Sequence, residues 1–416
     1  MTARATTIDG KRLQARLASF AAIGATAGGG VNRQALSLED RAARALLAKL
    51  ASARGFSVHQ DPMANLFIRR PGRNADLPPL LIGSHLDSQI SGGRFDGALG
   101  VLAAFECLET LEDLHLATEQ PVEVVSWTNE EGSRFSPGAM GSSAFVAGAI
   151  TPEWGEMRDA AGKSFGDDLQ ATLAALSDAG MRPLGFPIAG YVELHIEQGP
   201  LLEREDLPIG IVTGIQGTRW LDVTFTGQTA HAGTTALMFR RDPLEAATEA
   251  LNALYRSIMP GDPDARFTVG KLRVEPGAVN SIPARVNLSI DLRHPTSNRL
   301  AAIETEVIAA CEAAASESAC VVRLERSADM APSTFSPSII AAIETAAAKL
   351  GIASRRMVSG AFHDALYLSR VAPTGMIFVP CRDGLSHNEA EYVQPRHCLI
   401  GTQVLFETVV ELATNP

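Results

Sequence analysis

Five side chains of the kinds that bind divalent cations stand in short phrases of this chain. They are His85 in GSHLDS, Asp96 in GGRFDG, Glu131 in TNEEGS, His195 in ELHIEQG and His387 in LSHNEAE. Three imidazoles and two carboxylates satisfy two divalent metal ions if one carboxylate is shared between them. A paired site of that kind acidifies water and can split an amide-like bond at neutral pH. Nitrogen and oxygen donors suit Zn, Mn, Co or Ni better than sulfur-seeking ions. Asp87, two residues after His85, is placed to accept the other imidazole N–H and fix its tautomer. Glu130 precedes Glu131, and neighbours at a strand end point different ways. One carboxylate can then bind metal while the other serves as general base.

Residues so far apart in sequence need a scaffold that gathers them. Short apolar runs at 80–82, 122–127, 191–196 and 376–379 read as strands, each leading to or containing a candidate ligand. Helical stretches at 98–111, 168–179 and 338–350 lie among them. This alternation predicts an α/β sheet covered on both faces, whose strands deliver their carboxyl ends to a common crevice. Asp96 sits on a loop between Gly92-Gly93 and Gly97, where glycines permit unusual backbone angles. The first fifty residues read as helices, with apolar spacing through Leu13, Leu17 and Phe20 and later Ala45, Leu46 and Leu50.

The middle of the chain differs. Leu221, Val223 and Phe225 alternate with polar residues, as do Val286, Leu288, Ile290 and Leu292, the period of strands with one wet face. Helices are expected at 243–258 and 299–316. The expected organisation is a metal-binding α/β domain of residues 1–213 and 331–416. Into it is inserted a smaller α+β domain, 214–330, with an antiparallel sheet and two helices. A length of 416 residues fits two domains.

A formal charge of −11 with no long basic run argues against nucleic acid or an anionic membrane as partner. No stretch approaches the ~18 apolar residues of a membrane span. Asp9 and Lys11 fall where an export signal needs an apolar core, and five scattered cysteines without CxxC read as reduced thiols. A cytoplasmic location is expected. GxSxG, P-loop and dinucleotide fingerprints are absent from the sequence, and His59, His115 and His397 read as solvated or packed.

Taken together the phrases resemble the amidohydrolase branch of the M20 metallopeptidase family. That branch holds N-carbamoyl-L-amino-acid hydrolases, β-ureidopropionases of the yeast type, and allantoate or ureidoglycolate amidohydrolases. The resemblance runs from about Pro79 to Tyr392 through GSHLDS, GGRFDGALGV, WTNEEGSRF, ELHIEQGP, GIQG, GQTAHAGTT, RRDP, VNSIP, DLRHP and SHNEAEY. It implies that His85, Asp96 and His195 hold one metal and Asp96, Glu131 and His387 the second, with Glu130 as base. It also implies a homodimer, in which the inserted domain serves as lid and dimerisation element and His231 reaches the other subunit's site and steadies the developing oxyanion. Asn280 and Arg293 are implied as binders of the substrate carboxylate, and Gln198, Gln216 and His363 as contacts around substrate or metals. For Arg293 the bland alternative is a salt bridge with Asp291 or Asp242.

Three positions bear on substrate. The family often has Pro where this chain has Ala236, and Gly where it has Phe362 in SGAFHDA. Gln89 resembles the carbamoylase and β-ureidopropionase side. The expected reaction is hydrolysis of an N-carbamoyl-L-amino acid or related small ureido acid. Rivals are allantoate or ureidoglycolate hydrolysis, a dipeptidase or aminoacylase of the same superfamily, and a non-catalytic metal-binding protein.

Overall fold

The computed structural model describes residues 8–414, and the part of the export reading that rests on the first seven residues lies outside them. Asp9 caps the first helix, Gly10–Ala21, which buries Leu13, Leu17 and Phe20 as its spacing predicts. The second helix, Leu38–Ala53, corrects the sequence reading. Its buried face carries Asp40, Ala43, Arg44, Leu47, Ala48 and Ala51, while Ala45 is exposed and Leu46 and Leu50 are half-buried. The reason is a buried ion pair: Arg44 Nε lies 2.9 Å from Asp40 Oδ2, and its fork also reaches the Ala64 carbonyl and Thr128 Oγ1. Hydrophobic periodicity cannot see a charged pair turned inward. Removing one partner strands a buried charge, so Asp40→Ala is expected to cost about 3–5 kcal/mol, read as a lower urea midpoint.

One compact unit runs to Thr213 and resumes at Thr334; the other is Gly214–Ser333. The first is built on a ten-stranded mixed sheet. Its centre is four parallel strands in the order Thr374–Val379, Gly190–Ile196, Leu80–His85 and Val122–Trp127. These contain the four apolar runs read from the sequence. Every residue in them is buried, so both faces of this part are covered. Antiparallel strands Ile209–Ile215 and Leu66–Arg70 flank this centre. Helix Ala98–Asp113 is buried over nearly all its length. The helix expected at 168–179 spans Phe165–Ala174 instead, because Ser164 caps it and the chain turns out before the short strand Gly180–Met181.

The second unit has a four-stranded antiparallel sheet in the order Arg266–Glu275, Arg285–His294, Gly217–Thr226 and Val321–Met330. Strand Arg285–His294 alternates buried and less buried residues along its length. Its inward side chains pack with those of helices Pro243–Gly261 and Ser297–Glu317 in one core, including Leu221, Phe225, Leu254, Ile290 and Ile303. All five cysteines are free, and no helix among the described residues is long and apolar enough to cross a membrane.

Candidate metal centre

The parallel strands end where the ligand-type side chains collect. His85 closes its strand and His195 is the penultimate residue of the next. Asp96 hangs in the loop before helix Ala98–Asp113. Gly97 has φ of +60°, and a Cβ there would come within 2.3 Å of His85 Cε1, so only glycine lets the loop close over that ring. Asn129, Gln198 and His387 also take positive φ, at 56°, 56° and 54°. Left-handed backbone at three non-glycine positions, two of them site residues and one beside Glu130, is strain of the kind functional loops hold.

Asp96 is the meeting point. Its Oδ1 lies 3.6 Å from His85 Nε2 and 3.2 Å from His195 Nε2. Its Oδ2 lies 3.7 Å from His387 Nε2, which is in turn 3.2 Å from Glu131 Oε2. Two trios thus share one carboxylate, each with ligand atoms close enough together for a single ion: His85, Asp96 and His195, and Asp96, Glu131 and His387. Glu130 belongs to neither trio, although its Oε2 comes within 3.4 Å of His85 Nε2.

The lone pairs suit a cation. Both buried imidazoles hydrogen-bond a backbone carbonyl through Nδ1, His85 to Asp87 O and His195 to Ile196 O, each at 3.0 Å. As donors there they leave Nε2 without a proton; His195 Nε2 accepts the Gly97 N–H at 3.3 Å, and His85 Nε2 is buried without a hydrogen-bond partner. A bare nitrogen aimed at carboxylate oxygens is repulsive unless positive charge lies between. Burial opposes charge on His85, yet Glu130, Asp96 and Asp87 outweigh it and hold the imidazole well above its usual range. Seven buried carboxyl groups crowd here. Burial pushes Glu130 well above the carboxylate range and Glu131 up to about 8, with Asp96 adding to both. Asp87, Glu193, Asp364 and Glu391 are raised as well, chiefly by burial. Asp96 alone is lowered: burial works to raise it, and His195 and His85 prevail. The donor set therefore fits divalent metal.

Burial raises Glu131 to about 8, so cation uptake by metal-free protein would release its proton if Glu131 is a ligand. Affinity is expected to rise with pH through about 8, since the raised His85 and Glu131 would both give up protons. Calorimetric titrations in buffers of different ionisation heat measure the released protons; uptake without release at pH 7 would contradict this.

Supporting contacts revise some expectations. The Asp87 carboxylate stays 3.9 Å from His85 Nδ1, and the backbone oxygen of the same residue orients the ring. The carboxylate instead accepts from the Glu130 and Glu131 backbone N–H groups at 3.3 and 3.2 Å, fixing the loop that bears them. Gln198 donates to Asp96 Oδ2 at 2.8 Å and leaves its own Oε1 buried and unpartnered. Gln89 donates to Glu131 Oε2 at 2.8 Å. His363 is buried with its ring 4.5 Å from that of His195; burial and then His195 hold it well below the usual imidazole range.

Sequence reasoning missed Ser386 and Glu391. Ser386 donates to Asp96 Oδ2 at 2.6 Å, and Glu391 accepts from the Phe95 and Asp96 N–H groups at 2.9 and 3.0 Å. Both flank His387 in SHNEAEY, and a carboxyl so near a ligand was the available signal. Glu193, His195 and His363 form a further trio of ligand-type groups. The Glu193 oxygens there already accept from Ser84, Tyr191 and Ala365, which fits an anchoring role.

The remaining expected residues belong to the second unit. His231 pairs with Ser281 in a short ribbon, and Ala232 N–H donates to Asn280 O, so His231 and Asn280 are neighbours. Exposed His231 accepts the Gly233 N–H on Nδ1 at 3.1 Å, which puts the ring proton on Nε2. Arg293 pairs with Asp291 at 2.9 Å, the salt bridge weighed against its ligand role. Gln216 is half-buried between strands Ile209–Ile215 and Gly217–Thr226.

Residues 81–411 match the description of peptidase family M20/M25/M40. The chain belongs to that family. An N-carbamoyl-L-amino-acid amidohydrolase of Rhizobium meliloti is 40% identical over 98% of this chain and 97% of its own. An allantoate amidohydrolase of Bacillus subtilis (strain 168) is 34% identical over 95% of each. Among solved structures, a hydantoinase/carbamoylase family amidase of Burkholderia multivorans superposes with a TM-score of 0.94. It shares 43% identity, covering 99% of this chain and all of that one. M20 membership and these likenesses make the protein a hydrolase acting on amide-type C–N bonds, which sets aside the non-catalytic reading.

Proposed function

We propose that this enzyme hydrolyses the ureido C–N bond of an N-carbamoyl-L-amino acid, giving the amino acid, carbon dioxide and ammonia. The observation that carries the reading is Asp96 shared between two ligand trios, in a chain alignable end to end with relatives named for that substrate. Two divalent ions fit the donor set, one on His85, Asp96 and His195, the other on Asp96, Glu131 and His387. When bound, such ions acidify water and polarise a carbonyl oxygen.

The chain's own groups do the rest. Glu130 takes a proton from the attacking water and returns it to the leaving nitrogen, a task its raised proton affinity suits. The water oxygen bonds to the ureido carbon, one C–N bond breaks, and the carbamic acid so formed loses carbon dioxide. Gln198 Oε1 supplies an acceptor for a ureido N–H. Arg293, exchanging Asp291 for substrate, and Asn280 hold the carboxylate. Gln216 and His363 complete the surroundings of the substrate. His231 donates from Nε2 to the oxyanion, a contact worth ~3–4 kcal/mol in other enzymes.

In this reading the enzyme is a homodimer and His231 acts across it. Glu130→Gln and His231→Ala proteins, each inactive, are then expected to recover about a quarter of wild-type activity when unfolded and refolded together. No recovery in the refolded mixture would place His231 in its own subunit's site. A cytoplasmic location accords with the free thiols.

The deciding experiment is ammonia release by metal-reconstituted protein from N-carbamoyl-α-amino acids, N-carbamoyl-β-alanine, allantoate and ureidoglycolate. Allantoate is the second reading, favoured by the Bacillus subtilis relative. Ammonia from none of these, with cleavage of dipeptides, would overturn the proposal.

A further inference from the structure

We propose that Phe362 forms an apolar wall of the substrate site and selects N-carbamoyl amino acids with apolar side chains. This rests on the activity proposed above and extends it to the substrate's side chain. Phe362 follows the strand Ser354–Ser359 and immediately precedes His363, the buried imidazole beside His195. Its ring lies against Gly138. A Cβ on that glycine would stand 2.8 Å from Phe362 Cζ and 2.4 Å from the Glu130 carbonyl oxygen. The ring thus rests on the loop that carries the proposed base, and joins two stretches of chain that both supply site residues.

That loop is a firm backing. Ala139 N–H donates to Glu130 O at 2.9 Å, and the Asn129 amide donates to the Phe135 and Pro137 carbonyls at 2.7 and 3.1 Å. Yet the ring is no interior filler. Phe362 is 37% exposed, whereas His363, Asp364 and Glu130 are exposed by 1%, 0% and 6%. The groups gathered around Asp96 are carboxyls, imidazoles and amides, which gain nothing from an apolar side chain. The free face of Phe362 does gain. An aromatic side chain presents roughly 200 Å², and covering about a third of it is worth on the order of tenfold in kcat/KM.

The test compares kcat/KM for N-carbamoyl-L-leucine and N-carbamoylglycine in wild type, Phe362→Gly and Phe362→Gln. The leucine-to-glycine ratio is expected to fall about tenfold in both variants. A ratio is indifferent to how much of each variant folds, and glutamine keeps the bulk while removing the apolar face. An unchanged ratio in either variant would make the ring mere packing and overturn the proposal. A ratio that rises in Phe362→Gly would make the ring a barrier and overturn it as well. Wild type releasing ammonia from neither substrate would instead sink the activity itself, and the inference with it.

Discussion

Glu130→Gln is expected to lower kcat by about a thousandfold while metal content and thermal midpoint stay near wild type. Glutamine keeps the shape of glutamate and loses only the ability to take a proton. Glu130 stands outside both ligand trios, yet its carboxylate lies 3.4 Å from His85 and so beside the place where the trios meet. Its position is set from behind by the Asp87 carboxylate on its backbone N–H, a contact the substitution leaves intact. Turnover and metal analysis of the same preparation separate the outcomes. Normal turnover would remove Glu130 from the chemistry, and a lost ion would make it a ligand rather than a base.

The convergence of the ligand-type side chains was legible in the sequence because each follows, or stands at the end of, a buried strand. A parallel strand buried on both faces is a run of apolar residues, and the residues at or beyond its end stand at the crevice; His85 and His195 were readable for that reason. The antiparallel sheet of Gly214–Ser333 was legible through a different signal, the period-two alternation of Arg285–His294. What escaped notice shares a physical cause. Arg44 and Asp40 turn inward as a pair, and their charges hide the face they occupy. Ser386 and Glu391 act through hydrogen bonds to a loop almost three hundred positions away, so their nearness to His387 in sequence was a signal but their partners were not. The Asp87 case differs again. There the backbone oxygen meets the His85 ring in place of the expected carboxylate, and side-chain type says nothing of backbone direction.

Substitution of Asp96 is expected to separate a shared ligand from two independent sites. Asp96→Ala removes the oxygen facing His85 and His195 together with the one facing His387, so both cations should be lost on dialysis. Losing a single ion would deny that Asp96 is shared. Asp96→Asn is the finer probe. Gln198 and Ser386 both donate to Oδ2 at 2.8 and 2.6 Å, so the one oxygen of an asparagine amide must turn toward them. Its NH2 group then faces the Nε2 atoms of His85 and His195, where it occupies the lone pairs a cation needs. The His85 and His195 ion should therefore be lost while the Glu131 and His387 ion persists, measured as metal per chain by plasma mass spectrometry. His195→Ala should reproduce that stoichiometry and His387→Ala should give its complement. If Asp96→Asn instead binds metal like wild type, the two donors on Oδ2 do not set the orientation of this side chain, and the shared carboxylate is held by something other than Gln198 and Ser386.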